Sequence, residues 1–100
     1  MRVIAKAPLR EFWTIHANAE DALKAWLADA EKADWKSPND ITANYANTSI
    51  LGNSRVCFNI KGNHYRLIVK IIYQAHIVYV KFIGTHAEYD KVNAEEVSLY

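Results

Sequence analysis

From Leu9 the apolar and aromatic residues recur three or four positions apart, at Leu9, Phe12, Trp13 and His16, a spacing that predicts a helix. A short strand at Val3-Ile4 precedes it and is closed by Pro8. Asn18, with Asp21 three positions on, predicts the cap of a second helix. Ala22, Leu23, Trp26, Leu27, Ala30 and Ala33 then line one face of it. Glu20 stands four residues before Lys24 on the opposite side, a favourable helical pair. Ser37-Pro38-Asn39-Asp40 predicts a third start, with Ser37 as cap and Pro38 pre-set for the first turn, leading into a short helix through about Tyr45. Asn47 to Asn53 reads as a loop turning at Gly52-Asn53.

At Arg55 the period changes to two. Val56, Phe58 and Ile60 alternate with Arg55, Cys57, Asn59 and Lys61, and Gly62-Asn63 supplies a hairpin turn. Tyr65, Leu67, Val69 and Ile71 alternate with Arg66, Ile68 and Lys70; after a turn at Gln74-Ala75-His76, Val78, Val80 and Phe82 oppose Tyr79 and Lys81. Gly84 ends this strand, and Thr85 to Lys91 is expected to curl into a turn or short helix. The predicted fold is one α+β domain over residues 1–100, with N-terminal helices packed on an antiparallel sheet in the order β-α-α-α-β-β-β.

Charge changes this picture where net charge does not. The formal balance is only +1, yet residues 41–87 hold five cations, Arg55, Lys61, Arg66, Lys70 and Lys81, and no acid. Period-two geometry is expected to gather these cations on the face opposite the apolar one, where they suit a polyanion. Strands also favour Lys and Arg over Asp, so charge alone identifies no ligand. The single cysteine, Cys57, forms neither a disulfide framework nor a zinc site, which suits a reducing cytoplasm. No apolar run reaches the ~18 residues of a spanning helix, and Met1 to Lys6 is too short for a signal-peptide core. No Gly-rich phosphate loop, zinc spacing or Ser/His/Asp arrangement is present, so no metal or cofactor is expected.

The stretch Leu51-Gly52-Asn53-Ser54-Arg55-Val56-Cys57-Phe58-Asn59-Ile60-Lys61-Gly62-Asn63-His64-Tyr65-Arg66-Leu67-Ile68-Val69-Lys70 continues in Phe82-Ile83-Gly84-Thr85-His86-Ala87-Glu88-Tyr89-Asp90-Lys91. It resembles the HigB toxins of the RelE/ParE superfamily. Trp35 and Ser37 to Ile41 are similar to the family's linker region, whereas residues 1–30 match only as an amphipathic helical pair. The resemblance implies a RelE-like fold and an endoribonuclease that cuts messenger RNA, in many members on the ribosome. It also implies a neighbouring antitoxin of the HigA type carrying a helix-turn-helix domain.

RNA can be cut without a metal, because its 2′-hydroxyl attacks the adjacent phosphate once a base, an acid and a fixed cation are in place. His86 is the best proton carrier, since only histidine titrates near neutrality unaided. Arg66 is the best clamp, because a guanidinium binds two phosphate oxygens together. Lys61 sits near the turn within reach of substrate, and Tyr89 can stack on a base or pass a proton. Arg55, Asn63, Lys70, Lys81 and Asp90 are the expected RNA contacts, with Asp90 also placed to orient His86. Each has a purely structural alternative: His86 capping a turn, Tyr89 in the core, Lys70 and Lys81 in solvent, Asp90 opening a surface turn. His64 and His76 are read as hairpin residues, His16 as helix margin, Cys57 as a small sheet residue, and the tryptophans Trp13, Trp26 and Trp35 as core. Two rival functions use the same scaffold: a ParE-like inhibitor of DNA gyrase that cuts nothing, and an inactive RNA-binding module.

Overall fold

The computed structural model describes residues 1–100. Its elements are β1 (Arg2–Ile4), α1 (Ala7–Ile15), α2 (Glu20–Lys32), α3 (Pro38–Thr42), β2 (Ser49–Ile50), β3 (Arg55–Ile60), β4 (Tyr65–Ile72), β5 (Ile77–Thr85) and α4 (His86–Tyr89). The helices pack on a five-stranded sheet of order β1-β5-β4-β3-β2, an α+β architecture as expected. The β3-β4-β5 meander is antiparallel. Two edges enlarge it: β1 joins β5 in parallel, making the sheet mixed, and Ser49–Ile50, expected to be loop, pairs with Cys57 and Val56.

The helix-side layer is the main core. Leu9, Leu23, Trp26, Ala30, Trp35 and Ile41 meet Val56, Phe58, Leu67, Val69, Ile71, Val78, Val80 and Ile83. Phe58 is its hub, with the rings of Trp26, Trp35 and Tyr45 at 5.3, 6.0 and 5.2 Å. Two predicted caps are replaced by other bonds. Asn18 spends its carboxamide oxygen on the Tyr65 hydroxyl, tying the α1–α2 link to β4, and a 3-10 turn over Ala17–Ala19 leads into α2. Ser37 stands at the start of α3 without a side-chain cap bond, while the Asp40 carboxylate accepts from the Lys36 N–H at 2.8 Å. The Glu20–Lys24 pair forms as expected.

The second sheet face departs furthest from expectation. A bulge in the β4–β5 pairing matches Val69 with Val80 but Ile68 with Phe82, leaving Lys81 as the extra residue. One inserted residue reverses the phase beyond it. Phe82, expected beside Val78 and Val80, therefore lies on the far face with Cys57 and Ile68, and Ile83 turns to the helices. Leu51, Tyr89, Val92, Ala94 and Val97 cover this second apolar cluster. The expected open basic face is thus partly roofed by the chain after α4. No helix is long and apolar enough to cross a membrane.

Candidate functional site

The β3–β4 hairpin sets up the site. Its four-residue loop, residues 61–64, places Lys61 and Gly62 at positive φ (53° and 63°), a conformation that glycine adopts freely. This closure sets Asn59 opposite Arg66, and the β4–β5 pairing sets Gly84 on the other side of Arg66. Gly84 leaves room there for the Phe82 ring: a Cβ would come within 2.6 Å of its Cζ.

Arg66 is half-buried and held by two contacts. Its Nη1 donates to Oδ1 of Asn59, and its guanidinium carbon lies 5.3 Å from the centre of the Tyr89 ring. Its Nε is buried without a partner, and Nη2 makes no hydrogen bond to the protein. No carboxylate comes within ion-pair distance; the ion pairs are Lys6–Glu31, Lys24–Glu20, Lys36–Asp34, His76–Asp34 and His86–Asp90. Arg66 is therefore an oriented, uncompensated cation with one donor edge free.

Tyr89 is positioned by α4, whose start is fixed by a reciprocal capping box. The Glu88 N–H donates to Oγ1 of Thr85 at 3.2 Å, and the Thr85 N–H donates to the Glu88 carboxylate at 2.8 Å. Burial, followed by the neighbouring Cys57, pushes the Tyr89 phenol above its ordinary 10.0, although Arg66 pulls the other way. Near neutrality Tyr89 is thus a neutral phenol set against a buried thiol. Cys57 is likewise raised by burial, partly offset by Tyr89 and Arg66, so it remains a thiol.

His86 opens the same helical turn and is exposed. Its Nδ1 is 3.4 Å from Oδ2 of Asp90, and its backbone N–H donates to the His64 carbonyl at 3.2 Å. Nδ1 of His64 in turn lies 2.8 Å from the Lys61 carbonyl. These contacts bring His86, Asp90, His64 and Lys61 to the hairpin end of the sheet, where Arg66 and Tyr89 lie. An imidazole near a carboxylate, and a guanidinium near an aromatic ring at the same end of the sheet, are groups that can move a proton and neutralise charge.

Three of the expected cations do not converge there. Arg55 is 5% exposed, and its Nη1 donates to the carbonyls of Ala94 and Val97 at 3.2 and 2.5 Å, so it fastens the C-terminal segment. A buried guanidinium so engaged is not a surface RNA contact, which corrects the expectation for Arg55. Lys70, paired in register with Arg55, donates to Oδ1 of Asn53 at 3.3 Å and lies about 13 Å along β4 from Arg66. Lys81 is the bulge residue, with Nζ 5.6 Å from the Tyr79 ring centre. Asn63 is exposed at the hairpin tip. The residue that sequence reasoning missed is Asn59, although a hairpin centred on Gly62-Asn63 already sets it opposite Arg66.

A profile of the HigB toxin, described as the RelE-like toxic component of a toxin–antitoxin system, matches residues 19–92, from the start of α2 past α4. The chain belongs to the HigB toxin family. The matched span of this HigB-family chain includes Asn59, Arg66, His86 and Tyr89. It is also 29% identical over 94 residues to the mRNA interferase HigB of Escherichia coli O6:H1, a match covering 92% of this chain and 91% of that protein.

Proposed function

We propose that this HigB-family chain is an endoribonuclease that cuts messenger RNA engaged on the ribosome and is neutralised by a HigA-type helix-turn-helix antitoxin. Family membership and the similarity to an mRNA interferase support the activity. The observation that carries the reading is Arg66: half-buried, 5.3 Å from the centre of the Tyr89 ring, in no ion pair with a carboxylate, and held by Asn59 at Nη1 alone. A cation of this kind suits a phosphodiester, whose two non-bridging oxygens match the guanidinium fork.

In this mechanism the 2′-hydroxyl oxygen bonds to phosphorus as the P–O5′ bond breaks, leaving a 2′,3′-cyclic phosphate and a free 5′-hydroxyl. A base takes the 2′-hydroxyl proton, an acid gives a proton to the departing 5′-oxygen, and the charge on phosphorus grows in between. Arg66 meets that charge. His86, oriented by Asp90, moves one of the two protons. Lys61 at the hairpin tip is a further phosphate contact, with Asn63 beside it. Tyr89 backs the guanidinium, and its phenol keeps its own proton near neutrality. The substrate's own hydroxyl is the nucleophile, so no water is consumed in the cutting step and the cyclic phosphate is its mark.

Arg66→Ala tests the proposal. It is expected to lower message cleavage by about 10²–10³-fold, the usual loss for one positioned donor to a developing charge, while the fold survives. Wild type and variant are to be added to translating ribosomes and to naked message, and product ends checked for cyclic phosphate. Intact message with altered DNA supercoiling would instead establish gyrase inhibition. Salt-sensitive binding without cutting would establish a passive RNA-binding module.

A further inference from the structure

We propose that Asn59 is a positioning residue for the nuclease reaction, orienting the Arg66 guanidinium without neutralising it. This inference rests on the endoribonuclease reading and deepens it by assigning how the phosphate clamp is kept ready.

Arg66 projects from β4 with long-side-chain freedom, yet a phosphate clamp must present the same edge at every encounter. Two contacts remove that freedom. The Tyr89 ring centre lies 5.3 Å from the guanidinium carbon and limits its sideways movement, and Asn59 accepts from Nη1, which restrains its rotation. Nη2 is left as the free edge.

Asn59 is itself braced. Its Nδ2 donates to the Asn47 carbonyl at 3.0 Å, on the loop leading into β2. Both ends of the carboxamide are thereby committed: the oxygen to Arg66, the amide nitrogen to backbone. The backbone bond also determines which end faces the guanidinium, since a carbonyl accepts only from nitrogen.

The side-chain type matters as much as the geometry. Arginine is most often held in place by a carboxylate, which accepts well but cancels the charge. A carboxamide oxygen supplies an acceptor and leaves the positive charge for the substrate. The acid-free stretch of residues 41–87 is consistent with this choice: every potential partner on β3 and β4 is neutral or cationic. Asn59→Asp preserves size and the acceptor but adds the charge that is otherwise kept away. Asn59→Ala does the reverse, leaving the charge while releasing the orientation.

The two variants are to be compared with wild type and with Arg66→Ala, singly and combined, each purified and added both to translating ribosomes and to naked message. For Asn59→Ala we expect a fall in cleavage of up to about 100-fold, the cost of a displaced catalytic group, with the salt dependence of binding to a 2′-O-methyl RNA unchanged. For Asn59→Asp we expect cleavage to fall at least as far and the salt slope to lose about one phosphate contact. In the Arg66→Ala background neither change should reduce cleavage further, because Asn59 acts through Arg66. A second measurement needs no activity: 15N spectra of the Arg66 guanidinium should show separate, slowly rotating Nη groups in wild type and averaged ones in Asn59→Ala.

If wild type cuts RNA while both Asn59 variants cut equally fast, the inference falls and the nuclease reading stands. Additive losses with Arg66→Ala would make Asn59 merely structural. If wild type cuts no RNA, the nuclease reading fails, and unrestrained Arg66 signals in wild type would independently overturn the positioning role.

Discussion

Tyr89 shows how one side chain can serve a site without reacting in it. Its ring is a shelf for the Arg66 guanidinium, and its phenol points into the neighbourhood of buried Cys57, where burial holds the proton. Tyr89→Phe keeps the shelf and is expected to cleave RNA at close to the wild-type rate, with an unchanged activity profile between about pH 6 and 9, well below the phenol's ordinary value. Tyr89→Ala removes the shelf and should cost about tenfold, the rate equivalent of a cation–π contact of about 1.4 kcal/mol. Rate profiles of both variants decide the matter; a limb that vanishes in Tyr89→Phe would mean that the phenol transfers a proton. Arg66 and His86 were legible as candidates because their chemistry is rare and the segment holds no acid. Asn59 was not, because a carboxamide on a strand reads as ordinary polar surface even where the hairpin register sets it opposite Arg66. Arg55 misled for the opposite reason: arginine is rarely buried, and nothing local announces the carbonyls of Ala94 and Val97 that bury it.

Helices and strands were readable wherever one period runs unbroken, as in α2 and β4. Reading failed where a distant partner decides. Asn18 gave up its cap to bind Tyr65, Ser49–Ile50 became strand only through pairing with β3, and the phase of β5 changed at Lys81. The junction of α2 with the turn after α3 carries a prediction of its own. The Tyr45 hydroxyl donates to the Asp29 carboxylate at 3.0 Å, and burial, then that carboxylate, pushes its pKa up to about 12. The folded chain therefore keeps a proton that the unfolded chain, at the ordinary 10.0, releases sooner. The stability so gained is complete below about pH 10 and is lost as pH rises through about 12. Tyr45→Phe should cost about 0.5–1.5 kcal/mol at neutral pH and flatten the alkaline fall. Urea unfolding midpoints from pH 8 to 12 check both; an equally steep fall in the variant would place the effect elsewhere.

Taken whole, the molecule has three layers: helices, sheet, and the segment from Tyr89 to Val97 lying on the far face. Arg55 pins the last of these through two carbonyls, and the Leu99 N–H reaches the Lys81 carbonyl at 3.0 Å. Arg55→Ala leaves those carbonyls unpaired and opens a gap beneath the segment. A loss of about 2–3 kcal/mol is expected, with faster hydrogen exchange at the amides of Val97 and Leu99. Unchanged exchange there would show that the apolar contacts of Val92 and Val97 suffice alone.

The bulge at Lys81 gives β5 two allegiances. Its first half, through Val78 and Val80, belongs to the helices, and Phe82 beyond it is lent to the opposite side. A single continuous strand thereby stitches both apolar clusters to one backbone ladder. Neither cluster can loosen without tugging on the other, so the shelf behind the phosphate clamp inherits the rigidity of a core with which it shares no side chain.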